Sequence, residues 1–345
     1  MKAPWRSHIR LALAGIFLLT SVILLTLFNV NKPRIMIIHS LSNESSWTAA
    51  VDQGFDQVLA HNRLPVVVMR EYLNLDILSE GVDLQTFSSE IRQRIDRLDP
   101  DILIAVDDET SDLVARHYVS RGRPKIIFTS LIHPPERYGY TPEKGVSGIQ
   151  EELPLNGIGE LLVQLFPTHA LTISVLGISD LTGTAEMAQI LQHDWGRHRI
   201  VRHALVQDFD AWKAFVEDGS KETDVLLVLS ADKVPAKANG HQMTSETEVV
   251  AWTERNARAW PLGVRASYVS HGGGMAVSPS PSQLGAMAMK LALEQAPQQE
   301  HATSPKLLRS SAYDVSVRPS ALIRRGIQLP TIYTEAARGA GRFYE

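Results

Sequence analysis

Between Pro100 and Leu131 the spacing of apolar residues changes twice. Ile102–Val106 and Ile126–Phe128 are unbroken apolar runs too short for helices, and the segment between them repeats at roughly 3.6 residues. This pattern predicts strand, acidic turn, helix and strand. Such a βαβ connection is right-handed and puts both strands in one parallel sheet, so the loops Asp107–Thr110 and Thr129–Pro134 should leave the same carboxyl edge. In open α/β sheets that edge is where ligands bind.

The same alternation runs outward from this unit. Arg34–Ser40 predicts a strand, Ser45–His61 a helix with Trp47, Val51, Phe55, Val58 and Leu59 on one stripe, Leu64–Met69 a strand, and Leu84–Leu98 an amphipathic helix. A second series follows Gly145–Gln150. It comprises helix Leu153–Phe166, strand Leu171–Leu176, helix Thr184–Trp195, strand Ile200–Val206, helix Asp210–Val216 and strand Asp224–Leu229. Alternating elements of this kind predict an α/β protein of two doubly wound, Rossmann-like lobes. Later, Val264–Val269 reads as a strand, Met275–Val277 as extended, Gln283–Gln295 as a helix introduced by Ser278-Pro279-Ser280-Pro281, Ala312–Val317 as a strand and Ser320–Arg325 as a short helix. The expected division is lobe 1 over 34–148, lobe 2 over 149–268, crossover segments with a return to lobe 1 over 269–330, and a tail over 331–345.

The amino terminus has a different pattern. Lys2, Arg6 and Arg10 precede Leu11–Val30, which carries no charge. About 20 apolar residues suit a spanning helix, whereas a signal-peptide core needs about 7–15. No small-x-small cleavage site follows. A transmembrane signal-anchor over 11–30 is therefore expected, with residues 1–10 cytoplasmic and the body outside, in the periplasm of a diderm cell.

Composition narrows the chemistry. The 345 residues carry a net charge of -4 and no cysteine, which argues against a nucleic-acid partner and removes thiolate and disulfide chemistry. No Gly-x-Ser-x-Gly elbow, phosphate loop or His-Glu-x-x-His motif occurs. Gly272-Gly273-Gly274 reads as a turn. His193, His198 and His203 are spaced by five, which does not align them on one helix face, so they read as a solvated surface rather than a metal site. Neither catalysis nor a cofactor is expected.

The strand-end loops are more informative. Asp107-Asp108-Glu109 can cap the following helix, but capping needs only one carboxylate and leaves another for a ligand cation. Ser40 and Trp47 follow the first strand, Thr110 and Ser130 the third and fourth, and Asp180, Thr182 and Asp232 the corresponding strands of the second lobe. Trp47 serves either core packing or stacking on a ligand. Two lobes facing each other with small hydroxyl and acidic loops describe a cleft for a small polar solute.

Taken together, RIMIIHS, DPDILIAVDDETSDLVA, PKIIFTSL, GVSGIQEELPLNGIGELLVQLFP, ISVLGISDLTGT and GGGMAVSPSPSQLGAMAMKLA resemble the ABC-transporter substrate-binding family over residues 34–330. The similar branch has the type I periplasmic-binding-protein fold and includes tryptophan/tyrosine-transport-like members. The resemblance implies a receptor for an amino-acid-like solute, with ABC permease and ATPase subunits as partners; many such proteins are released or lipid-anchored, and the tether expected here rests on Leu11–Val30 instead. Asp108 or Asp180 would then hold a ligand cation, Ser40, Thr110, Ser130 and Thr182 would bond its polar groups, and Asp232 would line the cleft. The acidic turn and the Gly177–Gly183 loop also resemble extracytoplasmic sensor domains of the same fold. The alternative expectation is therefore a ligand-sensing subunit acting through a membrane sensor partner.

Overall fold

A computed structural model describes residues 13–24, 32–78, 82–219, 223–231, 234–238, 240, 242–297, 304–310 and 312–345. Residues 13–24 form a helix, α1, whose apolar side chains, Ile16, Phe17 and Leu19 among them, are exposed. Both ends of the expected span 11–30 lie outside the described residues. Among the described residues no helix is long and apolar enough to cross a membrane.

The first lobe begins with β1 (Arg34–His39), α2 (Ser46–His61), β2 (Val67–Tyr72), α3 (Leu84–Leu98), β3 (Ile102–Val106), α4 (Asp107–Leu113), β4 (Lys125–Leu131) and β5 (Ser147–Glu151). The second contains α5 (Leu155–Leu165), β6 (Thr172–Ile178), α6 (Leu181–Gln192), β7 (Arg199–Val206), α7 (Phe209–Gly219), β8 (Val225–Val228), α8 (Glu246–Asn256), β9 (Trp260–Gly263), α9 (Ser267–Ser270) and β10 (Met275–Pro279). The chain then returns to the first lobe with α10 (Pro281–Glu294) and β11 (Leu307–Ser310). It ends in the second with β12 (Tyr313–Val317), α11 (Pro319–Ile323) and α12 (Thr331–Gly339).

Each lobe holds one six-stranded sheet, ordered β11-β5-β4-β3-β1-β2 in the first and β12-β10-β9-β8-β6-β7 in the second. Ladders are parallel except for β12 on β10. The central strands are apolar along their whole length because helices cover both faces, and each sheet separates two apolar clusters. The return of α10 to lobe 1 depends on close helix contact with α2. A Cβ on Gly54 would sit 1.9 Å from the Ser282 carbonyl oxygen, and one on Gly285 would sit 2.2 Å from that of Val51. Only glycine at both positions lets the two backbones meet.

Several elements differ from the sequence reading. The strand expected at Val264–Val269 is Trp260–Gly263, followed by the helical turn α9. Pro261 argues locally against a strand, but burial of the run beside β8 overrides it. Helix α8 was not expected. The tail over 331–345 is not a loose end either: α12 buries Tyr333 and Ala337 in lobe 2, and Val317 N–H donates to the Arg342 carbonyl. The second lobe therefore also takes β10, β12 and α11 from the segment assigned to crossovers.

Candidate functional site

The carboxyl edges of the two sheets face each other. Two contacts establish this. Glu151, the last residue of β5, bonds Arg265, which follows β9, and His133, beyond β4, reaches the Leu181 carbonyl at the start of α6. The loop after β4 and the start of α6, both singled out from sequence, thus meet between the lobes.

On the lobe 1 wall the acidic turn divides its labour. Asp108 is taken up by the protein. It accepts hydrogen bonds from Ile132 N–H at 3.0 Å, His133 N–H at 3.3 Å and the Tyr138 hydroxyl at 2.6 Å, and pairs with the His133 ring at 3.2 Å. Its bond holds the His133 imidazole above the usual histidine range, with the Leu181 carbonyl adding to the shift. Asp108 therefore anchors the loop after β4.

Asp107 is the carboxylate at the head of α4. It accepts from the Ser40 hydroxyl and from Thr110 N–H at 3.0 Å. Burial, reinforced by the neighbouring Glu109 carboxylate, pushes Asp107 up to about 7, against the lowering effect of those two donors. Asp107 has φ 79°, and Ser130 at the end of the adjacent strand has φ 61°. Left-handed backbone at a non-glycine residue is sparsely populated, and where the surroundings enforce it, a site is a frequent reason. At Ser130 the β4–β5 register also shifts between Phe128 and Leu131, a bulge of the sort that re-aims a side chain at a sheet edge.

Buried hydroxyls accompany this turn. Thr110 Oγ1 and Ser130 Oγ are shielded from solvent and make no hydrogen bond among the described residues, although a buried hydroxyl without a partner costs free energy. Trp47 is half-buried and packs on the lobe 1 core.

The lobe 2 wall is bonded internally. Asp180 caps α6, accepting from Gly183 N–H at 2.7 Å. Thr182 lies half-buried in the first turn of the same helix. Asp232 lies outside the described residues.

At the base of the cleft is a group that the sequence reading missed. Arg265 donates from Nη1 to Glu151 at 2.5 Å and from Nε to Glu186 at 2.6 Å. Glu186 also accepts from Ser230 N–H at 3.1 Å and the Ser230 hydroxyl at 3.0 Å. Both glutamates are buried. Burial pushes the Glu151 carboxyl up against the pull of Arg265. Burial works to lower Arg265 as well, but the two carboxylates override it and hold the guanidinium charged. Glu186 sits on a helix with an ordinary apolar stripe, and Arg265 is 79 residues away. No local pattern joins them.

No protein-family model matches the chain, and no curated protein matches it. Solved structures do. A ligand-free, open substrate-binding protein with adhesive properties from Clostridium difficile superposes with a TM-score of 0.62 at 16% identity, over 87% of this chain and 96% of that one. The type I periplasmic-binding-protein fold is that of this chain. A Streptococcus pneumonia ABC domain in complex with L-Trp gives 0.57 at 15% identity, over 91% and 100%. A LacI transcriptional regulator from Lactobacillus brevis gives 0.51 at 10%, over 80% and 97%. A substrate-binding protein, an ABC domain and a transcriptional regulator share this two-lobed fold, so its use here is argued from the site itself.

Proposed function

We propose that the chain is a membrane-tethered, extracytoplasmic solute-binding protein of an ABC-type importer that captures a small polar, amino-acid-like ligand between its lobes without catalysis. The observation that carries the reading is the pairing at the ends of β3 and β4. There Asp107 and Ser130 adopt left-handed backbone next to buried Thr110 and Ser130 hydroxyls that bond nothing among the described residues. In this reading Asp107, held by Ser40, meets a ligand ammonium or amide. Thr110 and Ser130 bond its polar groups, and Thr182 with the Asp180 cap forms the opposing wall. Asp108 positions the loop after β4, and Trp47 borders the mouth.

The charge-free run Leu11–Val30 supports the tether, and with it the reading that the chain sits in the inner membrane with its body in the periplasm. The L-Trp complex of a protein with the same fold is compatible with the tryptophan/tyrosine-transport-like branch.

A thermal-shift screen of the purified full chain against amino acids, amines, nucleosides and sugars tests the reading. A ligand at about 100 times its dissociation constant stabilises the fold by about 2.7 kcal/mol. A reproducible rise in melting temperature with one class supports solute capture, whereas no rise with any class rejects it. Co-purification with a permease supports import. Co-purification with a membrane sensor protein instead would replace importer with sensing subunit.

A further inference from the structure

Three segments join the lobes: β5 to α5, β10 to α10 and β11 to β12. They gather at β5 and β11 on one sheet and at β10 and β12 on the other, so the opposite edge strands, β2 and β7, are farthest from the joints. Movement of one lobe against the other is restrained by contacts across the cleft. The Glu151–Arg265–Glu186 bridge is one, and it starts from the strand that enters the first joint. The contact of His133 with Leu181 is a second.

His133 brings two acceptors, one from each lobe, onto a single imidazole. Its Nδ1 is shielded from solvent and lies 3.2 Å from the Asp108 carboxylate, with no other polar partner among the described residues. The ring also reaches the Leu181 carbonyl at the head of α6. Only the protonated imidazole carries two N–H donors, so it alone satisfies both. The neutral ring keeps one hydrogen, and the charged carboxylate is the stronger acceptor, so that hydrogen stays on Nδ1. The other nitrogen then turns a lone pair towards the Leu181 carbonyl oxygen. An attraction between the lobes becomes a repulsion.

Neither side is free to move away. Asp108 is held by the Ile132 and His133 amides and the Tyr138 hydroxyl, and the head of α6 by the Asp180 cap on Gly183. Among the charged groups around the ring, Asp108 from α4 favours the proton and Arg137, in the turn after β4, opposes it. Asp180, beside Leu181 in sequence, is engaged by Gly183 N–H. Asp108 prevails over burial and Arg137, which keeps His133 charged to higher pH than an ordinary histidine.

We propose that His133 is a pH-sensitive latch between the lobes, in which the protonated ring bridges Asp108 and the Leu181 carbonyl and loss of its proton releases the head of α6. A group that holds its proton more tightly in the latched form stabilises that form at low pH, and the stabilisation is lost as pH rises through its raised pKa. The latch acts on the lobes themselves, so it stands whether or not the cleft captures a solute.

The chain has no cysteine, so Ile77→Cys and Gln207→Cys allow selective spin-labelling of the full chain. Both residues are exposed, Ile77 beyond β2 and Gln207 beyond β7, at the edges farthest from the joints. Pulsed electron paramagnetic resonance reads the distance between the labels without ligand from about pH 5 to about pH 9, which brackets the histidine range. The ratio of short to long distances should fall about fivefold as pH rises, the effect of roughly one hydrogen bond. Its midpoint should coincide with the His133 ring titration followed by NMR. Asp107 titrates in the same window. His133→Gln, which keeps a donor and cannot ionise, separates the two groups: its ratio should not change with pH, and an unchanged melting temperature shows that the fold is kept. A wild-type ratio indifferent to pH, or a midpoint apart from that of His133, overturns the latch. So does a His133→Gln profile that matches wild type.

Discussion

At the end of β3 the chain places Asp107, Asp108 and Glu109. At the end of β6 it places Asp180 and, a turn into α6, Glu186. The two walls share one strand-turn-helix plan but use their carboxylates differently. In lobe 2 the carboxylates of α6 meet donors from their own surroundings, and Arg265 ties Glu186 to Glu151 of lobe 1. In lobe 1 Asp108 is engaged in the same way, and Asp107 also accepts two hydrogen bonds. Asp107, however, sits in unfavourable backbone with a perturbed carboxyl, beside the Thr110 and Ser130 hydroxyls, which have no partner among the described residues. A wall that is fully bonded contributes stability, whereas one left partly unbonded retains capacity for a ligand.

The largest effect expected from breaking this contrast is at Arg265. Arg265→Met would strand two buried glutamates, and loss of one partner from such a group costs about 3–5 kcal/mol. Urea unfolding measures it. A loss below about 1 kcal/mol would mean that the base of the cleft does not depend on the bridge.

Next comes Asp108→Ala, which removes the acceptor for two amides and the Tyr138 hydroxyl. A loss of about 2–3 kcal/mol is expected, together with a fall in the His133 pKa readable by NMR. Normal stability with abolished ligand binding would return Asp108 to the direct ligand role expected from sequence.

The third prediction concerns pH. Asp107 is raised from 3.8 to about 7, so the folded state holds this proton to higher pH than the unfolded chain does. Its contribution is fully present below about pH 4 and is lost as pH rises towards 7. Asp107→Asn, neutral and tolerant of left-handed backbone, should abolish that decline. After allowing for solvent at the turn, the variant should gain about 1–2 kcal/mol over wild type between pH 4 and 8. Parallel stability profiles would show that Asp107 is ionised at no cost. The smallest effect is at Asp180→Ala, where loss of the α6 cap should cost about 1 kcal/mol. A larger loss would mean that the lobe 2 wall depends on this residue for more than its cap.

Much of the architecture is legible locally, because a strand covered on both faces must be apolar throughout and a helix covered on one must be striped. Ile102–Val106 and Leu84–Leu98 meet those conditions and fold accordingly. Trp260–Gly263 does not, since a proline interrupts it and burial between neighbours makes it a strand. The α12 segment has too few apolar positions to declare itself before the lobe 2 surface it covers exists. At the site, the strand-end position of Ser40, Asp108, Thr110, Ser130, Asp180 and Thr182 was readable, but their hydrogen-bond partners were not. Asp107 and Asp108 are adjacent and chemically identical, and one φ angle with a set of donors 24–30 residues away separates their roles.

By itself, then, the sequence determined the alternation of elements, the two-lobed α/β plan and which loops stand at the strand ends, because hydrophobic period and strand length are properties of neighbouring residues. Tertiary structure alone decided the Glu151–Arg265–Glu186 bridge, the division of labour between Asp107 and Asp108, and the meeting of His133 with Leu181 between the lobes. Each of those depends on a polar atom finding, or failing to find, a partner across the fold, and that information does not reside in any one stretch of chain.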